Sequence, residues 1–175
     1  MRKILVVVDM QNDFINGSLG TKEAEAIVDN VAAKIEEYKP EDVFYTMDTH
    51  QADYLNTQEG KFLPVEHCIE RSEGWKLNPK LGPLLSMATM VTKPTFGSVR
   101  LGDLIEDIYQ EENGEIEIEL IGLCTDICVV SNALLLKARF HEVPIKVDSS
   151  CCAGVTPEKH DAALETMRSC QIIVE

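Results

Sequence analysis

Positive charge is scarce in this chain. Its 175 residues carry 16 Lys+Arg against 30 Asp+Glu, a formal net charge of −14. Phosphate contacts need a basic face, so this balance argues against a nucleic-acid partner and against docking on anionic membranes. Long apolar runs are missing as well. The most apolar stretch, residues 127–136, lies between Asp126 and Lys137 and falls well short of the ~20 residues that cross a bilayer. The N-terminal apolar run ends at Asp9, too early for a secretory core of ~7–15 residues and a cleavage site, so a cytoplasmic protein is expected. No CxxC pair occurs among the six cysteines, which argues against thioredoxin-type chemistry and against a zinc ribbon. In a reducing compartment the six read as free thiols. No repeat, low-complexity tract or Pro/Gly/Ser-rich linker divides the chain, so a single domain over 1–175 is expected.

What is present is an ordinary globular mixture, 45% hydrophobic and 26% charged. A domain of this length buries about 70% of its unfolded surface, enough for a real core. Six short runs read as strands: 3–8, 42–47, 88–93, 116–122, 143–147 and 171–174. Most are continuous apolar runs, the pattern of parallel strands buried on both faces. The fourth alternates with Glu115, Glu117 and Glu119, so either it exposes one face or its acids reach water at one end. Helical periodicity fills 21–38, where Ile27, Val28, Val31 and Ile35 form a stripe, and 101–109. Residues 126–140 are apolar nearly all round, as in a central buried helix. Thr156-Pro157-Glu158 opens a last helix that runs to about Ser169. Alternating strands and helices imply an α/β fold, a three-layer α-β-α sandwich with a mainly parallel six-stranded sheet. The irregular stretch 49–83 is long enough to be functional or to hide short helices.

In open parallel sheets, ligands bind outside the carboxyl ends of the strands. Asp9 ends the first strand, Asp48 and His50 follow the second, and Lys93 ends the third. Residues 122–128 join the fourth strand to its helix, and Asp148 ends the fifth. Thr125 as N-cap would put Cys128 in the first helical turn, where backbone N–H groups favour a thiolate. A carboxylate such as Asp9 can take the thiol proton, and an ammonium such as Lys93 can hold the charge. Taken singly, each has a plainer role. Cys128 could be core, Asp9 a cap, a metal ligand or a receiver-like phosphoacceptor, and Lys93 a solvated strand end. A receiver needs an acidic cluster, and the first strand has no adjacent acidic pair beside Asp9.

Together these residues carry a resemblance. Asp9-Met10-Gln11-Asn12-Asp13-Phe14 resembles the opening motif of the isochorismatase-like cysteine hydrolases, the superfamily that includes the nicotinamidases. Lys93, in Val-Thr-Lys-Pro-Thr-Phe-Gly-Ser, matches their lysine, and Gly122-Leu123-Cys124-Thr125-Asp126-Ile127-Cys128-Val129 matches their nucleophile segment. Order and spacing agree over essentially the whole chain. The resemblance implies Cys128 as nucleophile, Asp9 as general acid/base and Lys93 as third member of the catalytic set. It implies an oxyanion hole from the backbone N–H groups of Cys124 and Cys128, with a cis peptide at Leu123–Cys124. Cys124 then acts through its backbone, its thiol incidental.

Nicotinamidases hold a divalent metal such as zinc on an Asp-x-His pair and further histidines. Asp48-Thr49-His50 matches the pair and His67 a later ligand, while Tyr54 stands where a second histidine is expected. Three ligands with waters can hold a metal. The alternative is a hydrogen-bonded cluster of Asp48, His50 and His67 that binds substrate directly. No organic cofactor is implied. Phe14 matches a position near substrate. Trp75 could wall the same pocket, although closing the loop over core suits it better. His141 and His160 are expected at the solvated surface. The resemblance implies a small amide substrate, nicotinamide or a carbamoyl or ureido compound, and a homo-oligomer. True isochorismatases lack the cysteine, so Cys128 argues against vinyl-ether hydrolysis. A non-enzymatic thiol-sensing or binding protein on the same fold is the competing expectation, and the intact Asp9, Lys93 and Cys128 set argues against it.

Overall fold

The computed structural model describes residues 1–175. Its chain order is β1 (Arg2–Val8), α1 (Asn12–Ile15), α2 (Lys22–Ala26), α3 (Val28–Glu36), β2 (Val43–Asp48), α4 (Gln58–Phe62), β3 (Thr89–Lys93) and α5 (Val99–Glu111). There follow β4 (Ile116–Leu123), a π-helical turn (Thr125–Val129) leading into α6 (Val130–Arg139), β5 (Ile145–Ala153), α7 (Pro157–Ser169) and β6 (Ile173–Val174). The six strands form one sheet in the order β3-β2-β1-β4-β5-β6, every pair parallel. The expected three-layer architecture is therefore present.

Alternation along β1 sorts the two cores. Ile4, Val6 and Val8 face Leu101 and Ile105 of α5, Ala133 and Leu136 of α6, and Leu164 and Met167 of α7. Leu5 and Val7 face Ala24, Val28, Val31 and Ile35 on the other side. Period-2 strands between two apolar helical layers leave water on neither face, which is why the central strands read as unbroken apolar runs.

Several local expectations need correction. The single helix over 21–38 is interrupted at Ile27 into α2 and α3, so that Ala24, Ile27, Val28 and Val31 all reach one core. Thr125 is not an N-cap: Cys124 holds that position and Thr125 lies inside the π-helical turn. The helix after it is not buried all round, since Leu135, Ala138 and Arg139 are exposed. Residues 49–83 do hide short helices, a 3-10 turn at Tyr54–Asn56 and α4. The last helix begins as read, with Pro157 in its first turn and the Thr156 hydroxyl accepting from the Lys159 N–H at 3.3 Å.

The largest departure is β5. Pairing runs from Leu120↔Val147 to Gly122↔Cys152, so residues 148–151 bulge before the strand rejoins the sheet. The polar Asp148-Ser149-Ser150 run hides this continuation from hydrophobic patterning. Asp148 consequently does not reach the carboxyl edge; it pairs with Lys34 of α3 at 3.0 Å. The β4 acids are buried in a central strand. Glu117 lies 3.1 Å from Lys146, and Glu119 lies 3.4 Å from Lys34 and accepts from the Tyr38 hydroxyl. Neither face of β4 is open to water.

Gly122 is where β4 turns toward the functional edge. Its φ is +115°, and a Cβ there would lie 2.2 Å from the Val8 carbonyl oxygen. Only glycine fits so close an approach at that dihedral. Gly122→Ala is expected to cost about 3 kcal/mol or more, because strain and a backbone clash combine. Chemical denaturation measures it, and a loss under 1 kcal/mol would contradict the packing described.

Candidate active site

The carboxyl edge of the sheet gathers the predicted residues. Asp9 follows β1 directly, with φ at 47°. Aspartate tolerates this left-handed region better than most residues, and such positions concentrate at functional sites. Its N–H reaches the Thr46 carbonyl, and its Oδ1 accepts from the Thr46 hydroxyl at 2.6 Å. Its Oδ2 lies 2.6 Å from the Lys93 ammonium. Lys93 ends β3 and pairs in register with Asp48, the last residue of β2. The Lys93 Nζ also lies 3.4 Å from the Cys128 Sγ and 3.7 Å from Asp48 Oδ1. Asp9, Lys93 and Cys128 are all buried.

Burial dominates the electrostatics here. It raises the Asp9 carboxyl above its ordinary range, and Asp48 adds to the rise, against the pull of Lys93. Burial and the charge on Asp9 likewise hold the Cys128 thiol well above its ordinary value, with Lys93 opposing. The first-turn argument for a lowered thiol is thus overturned: a buried π-helical turn beside carboxylates favours the neutral form. Lys93 moves the opposite way. Burial alone would lower it, but Asp9, Cys128 and Asp48 outweigh that and keep it charged.

The turn that carries Cys128 starts at the Leu123–Cys124 peptide bond, which is cis. The Cys124 carbonyl accepts from the N–H groups of Ile127 and Val129, while its own N–H donates to no protein group. Burial pushes the Cys124 thiol to about 12. On the far side, the Thr125 hydroxyl meets His160 Nδ1 at 2.8 Å, so His160 is half-buried against this turn instead of solvated. His141 is exposed, as expected.

The expected metal group also assembles. Ligand atoms of Asp48, His50 and His67 lie within 4.8 Å of one another, and all three side chains are buried. Asp48 Oδ2 is 3.1 Å from His50 Nε2 and 3.5 Å from His67 Nε2. The His67 Nδ1 donates to the Val65 carbonyl at 2.8 Å, so in the neutral ring Nε2 presents its lone pair toward the carboxylate. A lone pair facing an anion is the geometry a cation resolves, and the donor set fits a divalent metal. Where the two imidazoles carry a proton on Nε2 they donate to Asp48, and these hydrogen bonds together with the Lys93 charge overcome burial and hold its carboxyl well below the usual carboxylate range.

Tyr54 does not fill the missing histidine's place. Its hydroxyl donates to the Leu63 carbonyl at 2.9 Å, and only its ring packs on His50 and His67. The acid that comes instead is Glu59 on α4, with Oε1 3.6 Å from both His50 Nε2 and His67 Nε2. Sequence reasoning missed it, because an acid in the first turn of a short helix reads as dipole compensation. It also left Gln11 without a role. The Gln11 side chain accepts from the Asp48 N–H and donates to the Asp48 and Trp75 carbonyls, all at 2.8–2.9 Å, fixing Asp48 from behind. Trp75 packs on the core and donates to the Thr49 hydroxyl, away from the cavity.

A cavity of about 350 Å³ opens onto Cys128, with Cys124, Asp48, Glu59, His67 and Phe14 in its wall. The Phe14 and His67 rings lie 5.5 Å apart. No helix is long and apolar enough to cross a membrane.

Comparison with known proteins agrees with this architecture. The isochorismatase domain family model matches residues 3–175. A nicotinamidase of Escherichia coli (strain K12) is 26% identical, over 92% of this chain and 87% of its own. The structure of a nicotinamidase/pyrazinamidase from Bacillus subtilis superposes with a TM-score of 0.80 at 29% identity, covering 99% of both chains. That of a Pyrococcus horikoshii pyrazinamidase in complex with zinc shares the fold, with a TM-score of 0.77 at 23% identity, over 100% of this chain and 99% of that one. A six-stranded parallel sheet carrying these residues at its carboxyl edge, and a family model spanning nearly its whole length, place this chain in the isochorismatase domain family, among its nicotinamidase-related hydrolases.

Proposed function

We propose that this protein is a cysteine amidohydrolase that cleaves the C–N bond of a small amide, with Cys128 as nucleophile, Asp9 as general acid/base and Lys93 assisting. One observation carries the reading: a single buried ammonium lies 2.6 Å from Asp9 and 3.4 Å from the Cys128 sulfur, beside a cavity that opens onto that sulfur. The raised thiol fits an enzyme that forms its thiolate only as substrate arrives. The Sγ proton passes to Asp9 while sulfur attacks the amide carbon, and Lys93 compensates the charge that moves. Backbone N–H groups of Cys124 and Cys128 receive the developing oxyanion. Asp9 returns the proton to the departing nitrogen, and ammonia leaves. A thioester remains on Cys128, and a water deprotonated by Asp9 hydrolyses it to the acid and the free thiol.

Asp48, His50 and His67, with Glu59, are the residues that would hold one divalent ion such as zinc. Bound there, it supplies a Lewis acid to orient a polar atom of the substrate. Gln11 keeps Asp48 in place, and Phe14 offers an aromatic wall to a planar substrate. Prolonged chelation is expected to lower turnover at least tenfold, with recovery on adding zinc. Metal analysis should give close to one ion per chain, and His67→Ala should lose it.

The names of the relatives make nicotinamide the first substrate to try, with pyrazinamide and carbamoyl or ureido compounds beside it. Ammonia release across that panel, together with mass spectrometry for an acyl adduct on Cys128, tests the reading. No turnover and no adduct from any amide would overturn it. A thiol-sensing role has less support, because Cys68, Cys128, Cys151 and Cys152 are buried and the one exposed thiol, Cys170, lies outside the cavity.

A further inference from the structure

We propose that the natural substrate carries an extended apolar acyl group, larger than one aromatic ring, that runs from Cys128 to a cluster of exposed apolar side chains at the cavity mouth. This rests on the amidohydrolase reading above and adds the class of acyl group. Four residues carry it. Phe62, Leu63, Phe96 and Val155 line the cavity yet are 85%, 38%, 47% and 41% exposed. They come from three separate segments: the end of α4, the loop after β3, and the loop between β5 and α7.

Exposed apolar side chains scattered singly over a surface need no explanation, but a group gathered around one opening marks a contact. Here four of the eleven exposed large apolar residues of the chain meet at this one cavity. The interior continues the same chemistry through Leu19, Leu123 and Ile127. Away from Asp48, Glu59 and His67, the only side chains other than thiols that could hydrogen-bond are Thr21 and Lys159. A polar acyl group would lose its hydration there with little return, whereas an apolar one gains at every methylene buried. The volume also lies within the range of about 300–1,000 Å³ that takes ligands larger than a single ring.

The test is a series of straight-chain primary amides from acetamide to octanamide, with nicotinamide, benzamide and 2-naphthamide alongside, assayed on the metal-saturated protein for ammonia release. kcat/KM is expected to climb about threefold to fourfold per methylene until the cavity is filled, the factor that follows from burying one CH₂. 2-Naphthamide should exceed benzamide by tenfold or more. Phe62→Ser and Phe96→Ser should each flatten the upper part of the slope. Both side chains are solvent-facing, and an unchanged melting temperature excludes misfolding. Turnover of nicotinamide or benzamide with a flat or falling slope would overturn this proposal alone. Failure of every amide would overturn the amidohydrolase reading and this proposal with it.

Discussion

Cys128→Ala is expected to lower kcat/KM for any amide substrate by about ten-thousandfold to a millionfold, the usual cost of removing a nucleophile that acts as part of a unit. No neighbouring group replaces it. Cys124 lies in the same cavity wall, but the Lys93 ammonium that pairs with Asp9 stands 3.4 Å from the Cys128 sulfur, and no such contact serves the Cys124 thiol. The fold should survive, because a single buried sulfur is lost from a packed turn at a cost of about 1 kcal/mol. Steady-state assays and thermal unfolding on the same preparation separate the two effects. Retention of even 1% of turnover would remove Cys128 from the role proposed for it. The acyl adduct seen by mass spectrometry in the parent should vanish in this variant.

The second large effect concerns the buried pair. Lys93→Met leaves the Asp9 carboxylate in the interior without its cation, and breaking a buried pair in this way costs about 3–5 kcal/mol. Activity should fall a thousandfold or more at the same time. The stability loss carries a sign that can be checked. Burial already raises Asp9 above the ordinary 3.8, and loss of Lys93 raises it further. A carboxyl raised in the folded state contributes its stability fully below the unfolded value and loses it as pH climbs through the folded value. The gap between Lys93→Met and the parent should therefore widen as pH climbs from 3.8 toward neutrality in denaturant titrations. A gap that narrows over that range would contradict the assignment. Asp9→Asn is the complementary variant. Lys93 keeps Asp48 at 3.7 Å, so the fold is affected less, while the lost acid/base group costs about a hundredfold to ten-thousandfold in rate. In the parent enzyme, the acidic limb of kcat/KM against pH should fall above 3.8, since Asp9 must be ionised to accept the thiol proton.

Both predictions depend on residues that the sequence singles out unaided, and the reason is local. Asp9, Asp48 and Lys93 each end an apolar run, and a run of that kind states by itself where a buried parallel strand stops. The rule that ligands gather at the carboxyl ends then places their side chains on one edge. Cys128 follows a strand by a short turn and is brought to the same edge by the same logic. Signals in the backbone are equally legible: Thr156 and Pro157 start α7 because capping and a fixed φ act within one turn. Asp148 misleads for a matching reason. A polar bulge carries β5 onward, and only the register with β4 reveals that the strand has not ended.

Local patterning was enough for the α/β class, the presence of six strands, the family motifs and the choice of Asp9, Lys93 and Cys128, though not for the extent of β5 or the burial of those three side chains. These are properties of runs and short spacings, which local physics decides. Tertiary structure alone decided that Glu59, and not Tyr54, joins the two histidines, since α4 has to pack beside His50 and His67 before its acid can face them. It alone decided that the Cys128 thiol is held high, because that depends on burial and on charges brought in from β1, β2 and β3. The apolar mouth formed by Phe62, Phe96 and Val155 belongs to the same class. Residues so far apart in the chain carry no common pattern; they become neighbours only when the sheet and the loops above it are assembled.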